Sequence, residues 1–124
     1  MELKIEVVFV PVSDVDRAKA FYVDRIGLHC DMDRTTPDGQ VRFVQVTPAG
    51  SACSFAFGRG ITTMEPGSQN GIMAVIADAD AALAQLQAAD IDAKGVDEQK
   101  WGRFVTFADP DGNSWTLQQP VPQG

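Results

Sequence analysis

Apolar and polar positions along the chain alternate between two regimes. Residues 3–10 are apolar and largely β-branched, interrupted only by Lys4 and Glu6, and read as a strand covered on both faces. Val15, Ala18, Phe21 and Tyr22 then recur at helical spacing behind Ser13 and Asp14. Either of those two can cap a helix that runs to about Arg25, and Gly27 supplies the left-handed residue that ends it. Three further strands are predicted over residues 28–34, 40–47 and 51–58. They are separated by the turn sequences Pro37-Asp38-Gly39 and Pro48-Ala49-Gly50. The same order then returns, with a strand at 72–76, a helix at 78–89 and strands near 91–96, 103–107 and 114–118.

This return is a sequence repeat. VPVSDVDRAKAFY aligns with VIADADAALAQL, placing Asp14 over Asp78, Asp16 over Asp80 and Ala18 over Ala82, each 64 residues apart. RFVQVTPAGS from Arg42 aligns with RFVTFADPDGN from Arg103, 61 residues apart. Two collinear matches indicate a duplicated module, about residues 1–58 and 70–120, joined by a Gly-, Pro- and Ser-containing linker at 59–69. A half of this size buries too little surface to stand alone. The expected class is therefore α+β: two tandem βαβββ modules forming an open, partly closed eight-stranded sheet around a cleft, within one domain.

The runs VPVSDVDRAKAFYVDRIGL, IADADAAL and FADPDGNSWTLQ resemble the vicinal oxygen chelate superfamily, which includes glyoxalase I, extradiol dioxygenases and the bleomycin-resistance proteins. The resemblance spans essentially the whole chain. In the enzymes of that family four strands each supply one metal ligand, and the resemblance puts these positions on Val7, Ser54, Gly71 and Thr116. None of these is an imidazole, carboxylate or thiolate, the donors that divalent metals take. The resemblance therefore implies the metal-free, antibiotic-sequestering branch, with no cofactor and with a homodimer as the usual assembly.

Strand alternation then assigns faces. With Val7, Ser54, Gly71 and Thr116 toward the cleft, Phe9, Met73 and Gln118 join them. Val8, Val10, Phe55, Trp115 and Leu117 pack beneath the helices. In the third strands, Val44, Val46, Val105 and Phe107 are core, which leaves Phe43, Gln45, Phe104 and Thr106 for the cleft. Trp101 stands at its mouth. Val7, Phe9, Phe43, Met73, Trp101 and Phe104 would line an aromatic slot, with Gln45, Ser54, Thr106, Thr116 and Gln118 as polar contacts.

Other candidates carry less. His29 is the single histidine and reads as a partly exposed strand residue. Cys30 and Cys53 read as two buried free thiols, about two strand spacings apart and too far for a disulfide. Asp109-Pro110-Asp111-Gly112-Asn113 lacks the acidic twelfth residue of a calcium loop, where Pro120 stands, and reads as a tight turn.

Composition narrows the partners. The 124 residues hold ten Lys and Arg against seventeen Asp and Glu, a formal net charge of −7. That balance disfavours a protein that tracks nucleic-acid phosphates. No apolar run reaches the length of a membrane helix, and no signal peptide is apparent, so a cytoplasmic protein is the expectation. The expected function is sequestration of a planar aromatic, antibiotic-like ligand. The alternatives are a metal-dependent glyoxalase-type lyase, isomerase or dioxygenase, and a carrier or sensor of a metabolite or flavin-like ring.

Overall fold

The computed structural model describes residues 1–122. Its elements follow the order β1 (Val7–Phe9), α1 (Val15–Lys19), a π-helical turn (Ala20–Arg25), β2 (His29–Thr35), β3 (Arg42–Thr47) and β4 (Ser54–Arg59). The second module supplies β5 (Ile72–Val75), α2 (Ala79–Ala88), β6 (Lys94–Gln99), β7 (Gly102–Ala108) and β8 (Ser114–Pro120). Each module makes one open four-stranded sheet, ordered β1-β4-β3-β2 and β5-β8-β7-β6. In both, the first strand runs parallel to the fourth and the other pairings are antiparallel. Both modules thus take the βαβββ form the repeat predicts. Among the described residues no helix is long and apolar enough to cross a membrane.

The repeated aspartates cap the repeated helices. Asp14 accepts from the amide of Arg17 at 3.1 Å and Asp78 from that of Ala81 at 3.0 Å, each satisfying one free amide of a first turn. At the far ends, Gly27 adopts φ +87° and Asp90 φ +63°. The second module therefore uses an aspartate for the left-handed turn that the first gives to glycine. The repeated arginines tie helix to sheet in the same way. Arg42 bonds Asp16 at 2.7 Å and Asp33 at 2.8 Å, while Arg103 bonds Asp80 and Glu98 at 2.9 Å.

Two strands depart from the hydrophobic pattern. β1 begins at Val7, not Leu3, because its parallel partner β4 begins at Ser54, opposite Val7. Beyond the bond from the Ser54 amide to the Glu6 carbonyl at 2.9 Å, the chain before Val7 has no partner strand, and Leu3 and Ile5 stay 75% and 67% exposed. β6 begins at Lys94, later than the apolar residues before it suggest. Ile91 and Ala93 are buried, but as the turn beneath the end of α2, where the Ile91 amide bonds the Leu86 carbonyl.

The core lies between the two sheets. The π-helical turn points both Phe21 and Tyr22 inward. The Tyr22 ring lies 5.0 Å from Phe55 and 5.9 Å from Trp115, and Phe21 lies 6.2 Å from Phe107. Phe55 and Trp115, one from each module, meet edge to face at 4.9 Å. The helix-covered face of each sheet is thus shared with the other module.

A buried polar knot crosses the same junction. Tyr22 donates its hydroxyl to Asp109 Oδ2 at 2.7 Å and accepts from Trp115 Nε1 at 3.0 Å. Asn113 donates to Asp109 at 2.8 Å and to the Pro11 carbonyl at 2.7 Å. Burial pushes the Tyr22 phenol far above its usual range, with the Asp109 charge acting in the same direction, so it stays a donor. The DPDGN segment is therefore a turn that also bolts the modules together, and no buried polar side-chain atom among the described residues lacks a partner.

Asp109→Ala strands the Tyr22 hydroxyl and one Asn113 donor, and should cost about 2–4 kcal/mol in urea unfolding. Tyr22→Phe keeps the ring and should cost less. A second expectation concerns acid. The Arg42 guanidinium holds the Asp33 carboxyl well below the usual carboxylate range. Because folding lowers this pKa, the pair stabilises fully above about pH 4 and is lost as pH falls toward the folded value. Arg42→Gln should lower stability at pH 7 and flatten the acid limb of a urea-midpoint series.

Candidate ligand-binding site

Strand register fixes which side chains share a face. In the first sheet Val7 lies opposite Ser54, Phe9 opposite Ala56, Ala56 opposite Gln45, and Phe43 opposite Gly58. Phe9 and Phe43 meet edge to face at 6.5 Å. In the second sheet Met73 lies opposite Thr116 and Thr116 opposite Thr106, while Val75 lies opposite Gln118 and Gln118 opposite Phe104. Gln118 reaches back to the Trp101 carbonyl at 3.3 Å and steadies that turn. Both sets sit on the faces turned away from the shared aromatic core.

The eleven expected residues therefore form two groups. Val7, Phe9, Phe43, Gln45 and Ser54 share the outer face of the first sheet. Met73, Thr116, Thr106, Phe104 and Gln118 share that of the second, with Trp101 at its rim. Within one chain the groups do not converge, because helices and core aromatics fill the space between the sheets. Met73, Val75 and Trp101 are 60%, 72% and 62% exposed. Val75 belongs with this set, and its signal was the alternation two residues beyond Met73.

At the end of the junction the sheets leave a cavity of about 590 Å³ between β1 and β4 on one side and β5 and β8 on the other. Ser54 and Met73 are the two expected residues on its wall. Phe55 and Trp115 form its aromatic floor, and Ile5, Val8, Ile72 and Val75 add aliphatic surface. The loop from Pro48 to Cys53 and Gln69 of the linker complete it. No periodicity marks those loop residues in the sequence. Gln69 is held by bonds to Phe9 O at 3.2 Å and Asn113 Oδ1 at 3.1 Å.

Cys30 and Cys53 are free thiols, as expected, but only partly buried. Their hydrogens point to the carbonyls of Met32 and Ser54 at 3.5 and 3.4 Å. The His29 side chain is 75% exposed on β2, 3.5 Å from Asp31.

The donor set does not fit a metal. Register places Phe55 and Trp115 at equivalent points, opposite Val46 and Phe107. Thr116 thus corresponds to Ala56, and Ser54 to Ser114, a shift of two residues from the sequence alignment. Val7, Gly71, Thr116 and either Ala56 or Ser54 present aliphatic groups, a bare backbone and hydroxyls. Among the described residues no group of three or more His, Cys, Asp or Glu is placed to hold an ion.

This is the βαβββ-repeat architecture of a broad class of small-molecule enzymes and binding proteins. Residues 4–117 match the model of the glyoxalase/bleomycin resistance protein/dioxygenase superfamily, and the chain belongs to that superfamily. It is similar to TnmS3, an antibiotic binding protein from Streptomyces sp. CB03234, at 37% identity and TM-score 0.87, covering 97% of this chain and 98% of that one. A glyoxalase/bleomycin resistance protein from the same Streptomyces is 37% identical, with TM-score 0.82, covering 94% and 100%. A superfamily member from Sphaerobacter thermophilus is 29% identical, with TM-score 0.83, covering 95% and 98%. No curated protein matches.

A bound divalent ion would stabilise the fold by mass action. Adding Zn²⁺, Ni²⁺ or Mn²⁺, or treating with a chelator, should therefore leave the thermal midpoint within about 1 °C of the untreated protein.

Proposed function

We propose that this protein sequesters a planar aromatic, antibiotic-like molecule and releases it unchanged. The carrying observation is the character of the ligand-facing surfaces. The positions that hold a metal in the family's enzymes carry no ligating group, while the surface around them is aromatic and aliphatic, with scattered hydroxyl and amide contacts. Such a lining stacks a flat ring system and offers nothing to activate it. The similarity to an antibiotic binding protein over nearly the full length supports the same reading.

The working unit in this reading is a homodimer. One copy's first sheet faces the second sheet of the other, so that the Phe9–Phe43 pair opposes Met73, Val75 and Trp101 across a slot. The exposed apolar side chains on β5 support this arrangement, since a lone chain leaves them in water. A cytoplasmic location completes the proposal.

Titrating the protein with bleomycin, mitomycin and an enediyne tests it by quenching of tryptophan fluorescence. At least one should bind in the micromolar range or tighter, one molecule per chain, and mass spectrometry should recover it unmodified. Phe43→Ala should weaken that binding about tenfold. Val75→Asp should convert a sedimenting dimer to monomer and abolish binding. A product formed over many turnovers would overturn the proposal.

A further inference from the structure

At one end of the outer face of the first sheet, four polar side chains form a chain. Ser54, Thr47 and His29 lie side by side across β4, β3 and β2, with Thr47 opposite His29 in the ladder. Asp31 is the extra residue of a β-bulge between Cys30 and Met32, and the bulge turns its carboxylate toward the same row. Thr47 Oγ1 donates to Asp31 Oδ2, and Thr47 Oγ1 lies 2.5 Å from Ser54 Oγ. His29 Nε2 stands 3.5 Å from the other carboxylate oxygen.

The fold does not require this chain. The second module makes the same β7–β8 ladder but bulges two positions further along, between Gly95 and Asp97 opposite Val105 and Phe104. There Ala108, whose side chain offers no hydrogen bond, occupies the place of Thr47, opposite Ser114. The strands pair equally well without the polar row, so its presence in one module alone points to a ligand and not to folding.

The direction of the chain follows from counting protons. Thr47 has a single hydroxyl proton, and it goes to Asp31 Oδ2. Ser54 must then donate its own proton to Thr47. Its oxygen keeps only lone pairs, and the two upstream bonds polarise it into a stronger acceptor. Ser54 is 8% exposed and borders the cavity beside Phe55 and Met73.

We infer that the Asp31–Thr47–Ser54 chain is a specificity device that selects ligands bearing a hydroxyl or N–H donor at the edge of their aromatic ring. Ser54 makes the contact. Asp31 and Thr47 are positioning residues that fix which way its proton points. The inference rests on the binding function proposed above and adds a polarity to it. A ligand edge carrying only acceptors meets lone pair against lone pair and leaves Ser54 unsatisfied.

The test uses two probes with the same planar ring, 2-hydroxyphenazine and 2-methoxyphenazine, titrated against the protein. The wild type should favour the hydroxyl probe by roughly fivefold to tenfold. Thr47→Val frees the Ser54 proton to rotate toward the ligand, and the preference should fall to near unity. It should do so through weaker hydroxyl-probe binding and unchanged or tighter methoxy-probe binding. Asp31→Ala should move the ratio the same way. A merely structural role would weaken both probes together and leave the ratio intact. Equal binding of both probes by the wild type, or an unchanged ratio in both variants, overturns the inference while leaving the binding function standing. If neither probe binds the wild type, the binding proposal falls and this inference with it.

Discussion

Everything in this structure depends on two half-sized modules having only one core between them. Each sheet has a helix on one face, but the largest apolar groups there, Phe55 and Phe57 in the first module and Phe107 and Trp115 in the second, are not covered by their own module alone. Tyr22 closes the arrangement. Its ring packs on aromatics of both sheets, and its hydroxyl sits between Asp109 and Trp115 of the second module. Apolar burial is non-directional and would tolerate sliding. The buried hydrogen bonds of Asp109 and Asn113 fix one alignment, because any other leaves charged or polar atoms unpaired in a low-dielectric interior.

That choice of core determines where a ligand can go. A sheet has two faces, and once the helix-side faces are committed to each other, the remaining two point outward. This is why the side-chain facing was legible in the sequence while the convergence of the facing residues was not. Alternation correctly separated Val44, Val46, Phe55 and Trp115 from Phe9, Phe43, Thr106 and Thr116. It carries no information about which face of one sheet meets which face of the other, since that depends on the path of residues 59–69 and on the aromatic packing around Tyr22. The expected slot was assembled from residues that a single chain keeps apart.

Local signals fared according to their physics. The capping aspartates and the helix-ending Gly27 act over three or four residues, and each appears where the pattern put it. The start of β1 depended on a partner 47 residues away, opposite Val7, so the apolar run from Leu3 overstated it. Asp109 looked like a turn residue because its local sequence is that of a turn. Its burial arises from Tyr22, 87 residues distant in the chain, and no local pattern reports such a contact. The bulge at Asp31 was equally silent, and the second module's bulge at Val96 lies two ladder positions away from the equivalent point.

The two modules have diverged in a way that separates what the fold needs from what it can spare. Helix caps, the arginine clasps at Arg42 and Arg103 and the pairing of the third and fourth strands are retained in each copy. Retention in both, at surface and core alike, marks these as requirements of a βαβββ unit. The outer faces have been free to differ. One carries an aromatic pair beside a directed hydroxyl chain, the other flexible Met73, branched Val75 and an exposed tryptophan. In the proposed dimer, a ligand held between such unlike walls would have one orientation in which its ring edge meets Ser54 and its face meets Trp101. A symmetric pair of walls would accept it either way round. With no metal-ligating side chains at the family's metal positions, asymmetry between the duplicated faces is, in the proposed function, what would fix how a ligand lies.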